Sequence, residues 1–299
     1  MDVNLNQLKV FHVAAKLQSF TRAAEALFLT QPGVSKHIRD LEDYYGVRLF
    51  DRLGKKVVLT QAGDILYART ETIFNAIDQS KVEIDELQGF ERGALKIGAS
   101  ITLGIYVLPG ILSRFRHLYP RIELCLDIVL NRQVADKILD NAIDIGFLGA
   151  PVADDRIRSG AFMKDELVLI VPAGHAWAGK DAVEAHALAA QPFIISQQGS
   201  GTRRVIEERL AQAGVVLTNC IEFGHTEAVK KAVESGLGVS IISRAAITRE
   251  EHLGVIRAVR LVGIDTTRDF YFAYRKDKYM TRAAKTFLEC AVYGEDPGR

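Results

Sequence analysis

"TQPGVSKHIRDLEDYYG", residues 30–46, decides how this chain is read. Val34, Ile38, Leu41 and Tyr45 recur at +4, +3 and +4, the spacing of one apolar helical face. Thr30 suits an N-cap, and Pro32 belongs in a first turn, where its missing N–H costs nothing. The other face opens with Gln31, Pro32, Ser35, Lys36 and Arg39, so amide, hydroxyl and cationic groups gather at the N-terminal half. A helix of this kind fits the major groove, whose base edges offer matching donors and acceptors.

Two shorter helical patterns precede it, one through Leu5, Leu8, Phe11 and Ala15, the other through Phe20, Ala23, Ala24 and Leu27. Only "LTQ" separates the second from the third, a tight turn of helix-turn-helix length, and Ala23 and Ala24 let two helices approach closely. After Gly46 come two β-favouring runs around "RLGKK", a hairpin wing bending at Gly54 with Arg52, Lys55 and Lys56 near its tip. Residues 60–89 follow as one long helix capped by Thr60. Leu66, Thr70, Ile73, Ile77, Ser80, Ile84 and Leu87 make a seam at heptad spacing, weakened by the Thr and the Ser. A dimerising linker fits this seam better than a helix packed on its own domain.

From "GFERG" (89–93) the pattern changes to alternating strands and helices. Strands are expected at Leu95–Ala99, "RIELCLDIV" and "IDIGFLG", with helices at Leu103–Leu118 and 132–141 between them. A second set runs "ELVLIVP", "FIIS", a helix from Thr202, "CIEF", a helix from Thr226 and "VSIIS", followed by "RDFYFAYRKD" and a helix from Met280. This order predicts a mainly parallel sheet in an α/β fold.

Composition agrees with a globular protein: of 299 residues, 48% are apolar and 25% charged, too many residues for one compact core. The net charge of +1 is unevenly spread. Residues 1–60 hold 9 Lys/Arg against 6 Asp/Glu, while residues 61–90 hold 2 against 6, which favours a polyanionic partner for the N-terminal part. No signal peptide or apolar run of membrane-spanning length is seen, so the cytoplasm is the expected compartment, without membrane contact. Cys125, Cys220 and Cys290 lie far apart, in neither disulfide nor metal spacing.

On the proposed recognition helix, Gln31 can pair with adenine, Lys36 with guanine, Ser35 with base or phosphate, and Pro32 offers an apolar surface to a thymine methyl. Arg22, Arg39, Arg52, Lys55 and Lys56 suit phosphates, which supply affinity without sequence information. A solvated helix face beside an ordinary hairpin is the alternative, but it leaves turn, wing and long helix in this order unexplained.

The stretch "FHVAAKLQSFTRAAEALFLTQPGVSKHIRDLEDYYGVRLFDRLGKKVVLTQAG" resembles the LysR-type transcriptional regulators. Ser19-Phe20, Ala23-Ala24, "TQPGVSKHI", "LFDR" and "LTQAG" carry the likeness, and "FRHLYPRIELCL", "NAIDIGFLG" and "EAVKKAVESGLGVSIIS" extend it over nearly the whole chain. Gly33 departs from the small residue, usually Ala, found there, and costs helix propensity. The resemblance implies a winged helix-turn-helix at 1–59, a dimerising linker helix at 60–89, and an effector domain of periplasmic-binding-protein fold at 90–299. Two α/β subdomains would compose the last, 90–163 with 267–299, and 164–266. It further implies a tetramer on an interrupted inverted repeat of promoter DNA, RNA polymerase as a partner, no cofactor, and a small-molecule inducer that changes DNA bending. Gln31, Pro32, Ser35 and Lys36 would read bases, and Arg52 would hold the backbone at the wing. Oxidant-sensing relatives use two nearby cysteines in the second subdomain, where Cys220 stands alone.

Ligands of open α/β sheets bind where strands end and helices begin. "GASITLG" (98–104) and "SQQGSGTRR" (196–204) have that character, which nominates Ser100, Ile101, Thr102, Ser200, Gly201, Thr202 and Arg203, with Thr226 as a further candidate. Hydroxyls and free N–H groups at two helix starts favour an anion, either carboxylate, phosphate or sulfate, although Ser and Thr also cap helices routinely. His175 and Trp177 read as loop residues near an inter-subdomain surface. An enzyme carrying a helix-turn-helix is the competing class. Against it, the chain has no HExxH, P-loop, GxGxxG or GxSxG, and Asp144 reads as a strand-end residue rather than a catalytic acid.

Overall fold

The computed structural model describes residues 3–53, 56–87 and 93–294. The chain divides into two compact units, Met1–Ile84 and Asp85–Arg299.

The first unit contains α1 (Leu5–Leu17), α2 (Phe20–Ala26), α3 (Gln31–Tyr45), the hairpin β1 (Phe50–Leu53) and β2 (Lys56–Leu59), and the start of α4 (Gln61–Leu87). Each of the three short helices is capped by the residue before it: Asn4, Ser19 and Thr30 accept from Gln7, Arg22 and Gly33 N–H groups. Their shared core holds Phe11, Ala14, Ala23, Ala24, Val34, Ile38, Leu41, Leu49 and Leu66. Tyr45, expected on the apolar face of α3, is exposed, because the helix ends there at left-handed Gly46, beyond the reach of the core. Glu42 fastens the wing to α3 by accepting from the N–H groups of Leu49 and Phe50 at 2.8 and 3.3 Å. A side chain at Gly63 would collide with the Leu49 carbonyl, so α4 starts hard against the wing only because that position is glycine.

The seam on α4 divides into two parts. Leu66 and Thr70 are buried in the first unit, and Thr70 takes part in a 3.1 Å hydrogen bond with His12 of α1. Ile77 and Ile84 are 44% and 58% exposed. Thr70 is therefore a local anchor rather than a weak point in an intermolecular seam. The side chain of Leu87 lies outside the described residues.

The second unit is built on β3 (Gly93–Ser100), α5 (Leu108–Leu118), β4 (Ile122–Val129), α6 (Asn131–Leu139), β5 (Ile145–Leu148) and β6 (Ile157–Pro172). After these come β7 (Ala182–Glu184), β8 (Phe193–Ser196), α7 (Gly201–Gln212), β9 (Cys220–Phe223), α8 (Thr226–Glu234), β10 (Ser240–Ser243), α9 (Thr248–Leu253), β11 (Ile256–Val262), β12 (Thr267–Arg275) and α10 (Arg282–Tyr293). Strands β4, β3 and β5 are parallel, as expected, but β12 pairs antiparallel with β5 and with β6, so the sheet is mixed.

Two lobes result, joined by long strands. Residues 157–166 of β6 pair with β12, and residues 167–172 pair with β10 and β11. One lobe is packed around Leu95, Ile97, Phe115, Phe147 and Phe287, the other around Leu169, Val171, Leu188, Phe193 and Ile241. Trp177 sits in the second core, 9% exposed, and not at the surface between lobes; a short turn can still send a large aromatic inward. The helix expected at Leu103–Leu118 opens with a π-helical turn at Leu103–Val107, the kind of irregularity often found at functional sites.

Candidate functional sites

In the first unit the α3 side chains of interest face outward. Gln31, Pro32, Lys36 and Arg39 are exposed, Ser35 is half-buried, and Arg22 on α2 is exposed. The Gln31 amide donates to Ser35 Oγ at 2.9 Å, so these two, one turn apart, form a single polar unit. Gln31, Ser35 and Arg39 thus follow one stripe of the helix at i, i+4, with Pro32 and Lys36 on the stripe beside it. Of the wing residues, Lys55 lies outside the described residues. Arg52 and Lys56 are placed by their backbones alone, opposite Val57 and Leu53 in the hairpin.

In the second unit a small cavity lies where the two lobes meet. Ser100, Ile101 and Thr102, at the end of β3, line one wall together with Leu130, Asn131 and Gly149. Ser196, Ser200, Gly201, Thr202 and Thr226 line the other, and Arg268 and Phe270 of β12 close it. Seven of the eight predicted ligand residues therefore converge. Arg203 is the exception: its guanidinium bonds to Glu207 and Glu222 at 2.6 Å each and to the Ser196 carbonyl at 2.9 Å, within its own lobe. Those carboxylates hold its pKa above the ordinary value.

Arg268 was not anticipated, and it is the principal charge in the cavity. It is 8% exposed. Nε donates to Asp165 Oδ2 at 2.7 Å, Nη1 donates to Thr202 Oγ1 at 3.0 Å, and the guanidinium lies 4.8 Å from the centre of the Phe270 ring. Ser243 donates to the other Asp165 oxygen at 2.7 Å. Burial pulls the Arg268 pKa down and Asp165 pushes back, which leaves a guanidinium charged at neutral pH. Nη2 and Ser100 Oγ are buried and have no hydrogen-bond partner among the described residues. A β-carbon at Gly149 would stand 3.8 Å from Arg268 Nη1 and 3.9 Å from Ser100 Oγ, so both groups border the backbone of this glycine.

The cavity is narrow, about 20 Å³, room for about one water. Asn131 and Gly201 meet across the mouth, where a side chain at Gly201 would come within 2.9 Å of the Asn131 amide. The starts of α7 and α8 border this cavity through Ser200, Gly201, Thr202 and Thr226. Buried donors without acceptors, beside helix starts, suit a small anion. Among the described residues no group of His, Cys, Asp and Glu could hold a metal, and no helix is long and apolar enough to cross a membrane.

Residues 5–64 match the model of the bacterial regulatory helix-turn-helix protein, lysR family, and residues 88–293 match that of the LysR substrate binding domain. The chain belongs to the LysR family of transcriptional regulators. It is 37% identical to a RuBisCO operon transcriptional regulator of Allochromatium vinosum, over 97% of this chain and 95% of the relative. It is 34% identical to the transcriptional activator CmpR of a Synechocystis strain, over 96% and 94%. These relatives are named as regulators of transcription, which places the chain outside the enzymes. Among solved structures, a full-length OxyR variant of Pseudomonas aeruginosa shares the fold, with a TM-score of 0.72 and 22% identity over 97% of this chain and 94% of that one. The regulatory domain of Synechocystis CcmR, solved with 2-PG, is 25% identical with a TM-score of 0.64, over 69% of this chain and 99% of that one. The regulator thus combines a DNA-binding helix-turn-helix with a ligand-binding domain.

Proposed function

We propose that the regulator reads promoter DNA with the outward half of α3 and takes a small anionic metabolite between its lobes. Binding of that anion alters the shape of its oligomer and the bending of its promoter. Base contacts fall to Gln31, Pro32, Ser35 and Lys36, and backbone contacts to Arg22, Arg39, Arg52, Lys55 and Lys56. The functional divisions are 1–59 for DNA, 60–89 for dimerisation, and 90–299 for the effector, with lobes of 90–163 plus 267–299 and of 164–266. The exposed apolar positions Ile77 and Ile84 support self-association through α4, and a tetramer on an interrupted inverted repeat follows the family pattern, with RNA polymerase as its downstream partner.

One observation carries the anionic assignment: Arg268 Nη2 and Ser100 Oγ are both buried at one cavity without an acceptor. A carboxylate, phosphate or sulfate group supplies acceptors for both, and the complex of CcmR with 2-PG supports a small ligand in this domain. The anion favours the closed arrangement because both lobes contact it, and the oligomer shifts by that differential affinity.

A circular-permutation bending assay tests this. The full-length regulator is bound to its own promoter region with phosphate, sulfate or 2-PG added, at an ionic strength held constant with chloride. At least one anion is expected to change the apparent bend angle. Identical bending with all three, together with no heat of binding for any, overturns the assignment.

A further inference from the structure

A second contact joins the lobes beside the cavity. Tyr106 lies in the π-helical turn, four residues after Thr102, and packs against the second-lobe cluster containing Val229 and Ile247. Its hydroxyl donates to Oε1 of Glu227, the residue after Thr226. Glu227 is held in turn by Lys230, whose ammonium is 2.8 Å away. Lys230 is 3% exposed and also bonds Glu250 at 2.9 Å and the Ala246 carbonyl at 2.9 Å, while the Tyr106 ring centre lies 5.0 Å from its charge.

The chemistry of this cluster is lopsided. Lys230, Glu250 and Ala246 all belong to the second lobe, so their bonds lie within it. Tyr106 alone comes from the first lobe, so its bond and its ring contact would be lost if the lobes parted. Burial, with the Glu227 bond adding to it, pushes the Tyr106 hydroxyl far above its ordinary pKa. Burial alone would raise the Glu227 carboxyl too, but the bonds from Lys230 and Tyr106 outweigh it and hold that group below the usual range. A neutral phenol therefore donates to a full carboxylate, the stronger class of hydrogen bond.

We infer that Tyr106 and Glu227 form an inter-lobe latch, anchored by buried Lys230, which sets the closed fraction of the regulator before any ligand arrives. Neither side chain needs to touch the effector. Apparent affinity scales with the fraction of molecules already closed, so the latch is a positioning device for the anion site. Its link to effector affinity rests on the anionic reading above, but the latch itself does not.

The native cysteines make the test direct. Cys125 on β4 and Cys220 on β9 are exposed, one in each lobe, and Cys290 is buried. Full-length protein is spin-labelled at Cys125 and Cys220, diluted with unlabelled subunits, and the distance distribution is read by pulsed dipolar spectroscopy. Wild type is expected to give one narrow distribution. Tyr106→Phe and Glu227→Gln should each broaden it toward other distances, and the double variant should add nothing, as one shared bond requires. Excess sulfate should restore the narrow form in Tyr106→Phe, with about tenfold weaker apparent affinity than wild type. If Tyr106→Phe keeps the wild-type distribution, the latch is refuted, even if the melting temperature falls. If Tyr106→Phe broadens the distribution and sulfate does not narrow it, the latch holds and sulfate is excluded as a ligand.

Discussion

The two functional regions of this regulator solve opposite problems. Helix α3 buries its apolar stripe and leaves in water the side chains proposed to meet base edges and phosphates. The cleft does the reverse: Arg268, Asp165, Ser100, Thr102 and Thr202 are all at most 8% exposed. The exposed set costs the folded state little, because water satisfies it. The buried set must satisfy itself internally, and Arg268 does so with Nε and Nη1 but not with Nη2. A mutation on the helix should therefore alter DNA binding and leave stability unchanged. One in the cleft should alter both.

The largest effect is expected from Arg268→Leu. It strands the Asp165 carboxylate, whose side chain is 3% exposed, and removal of one partner from a buried pair costs about 3–5 kcal/mol. Urea unfolding of the effector unit measures that loss. Near-wild-type stability would erase the contrast between the two regions. Next is Lys36→Ala, which should cost about 1–3 kcal/mol of discrimination between the regulator's own site and random DNA, with an unchanged unfolding midpoint. Competition binding measures this. Arg22→Ala should instead weaken all duplexes alike and lower the slope of log affinity against log salt by about one. If both substitutions relaxed specificity equally, the division between base and backbone contacts would fail.

Ser100→Ala combined with Thr202→Ala should weaken anion binding about tenfold by calorimetry, the worth of a hydrogen bond or two in a buried site. An unchanged affinity would separate the hydroxyls from ligand recognition. The smallest effect tests the His12–Thr70 pair of the N-terminal unit. Burial, and then the charge of Lys16, lower the His12 pKa, so the folded state holds His12 neutral against Thr70. The unfolded chain takes up a proton below about pH 6.5 and the folded one resists it, so stability is full above that pH and declines as pH falls through it. His12→Gln should flatten this decline in the melting temperature of the N-terminal unit. An equally steep decline in the variant would assign it to other groups.

The same contrast explains what the sequence made legible. The α3 side chains proposed to meet DNA, Gln31 to Arg39, lie within nine residues, and caps, apolar spacing and turn length are local signals. The walls of the cleft were half legible, since strand ends followed by Ser, Thr and Gly identify "GASITLG" and "SQQGSGTRR". The charge that completes the cleft comes from "TRDFYFAYR", read only as a strand. A weak signal was present: period two puts Arg268 on the buried face with Phe270, and Asp165 on that of Leu167 and Leu169. Opposite charges on the buried faces of two strands predict a pair if those strands are neighbours, and their pairing is tertiary information. Arg203 misled for the converse reason: its partner Glu207 is readable four residues on, but Glu222, which completes the pairing, lies on the separate strand β9. The first half of β6 was missed because its burial does not alternate; Gly160 is there because the Phe272 ring occupies the space of a side chain.

The free edge of Arg268 is expected to take an anion. Anomalous diffraction from crystals of the full-length regulator grown with selenate, an analogue of sulfate, tests it most directly. A selenium peak is expected within hydrogen-bond distance of Arg268 Nη2 and Ser100 Oγ, absent from Arg268→Leu crystals. An empty cleft at saturating selenate, or a peak confined to surface cations such as Arg204, would contradict it.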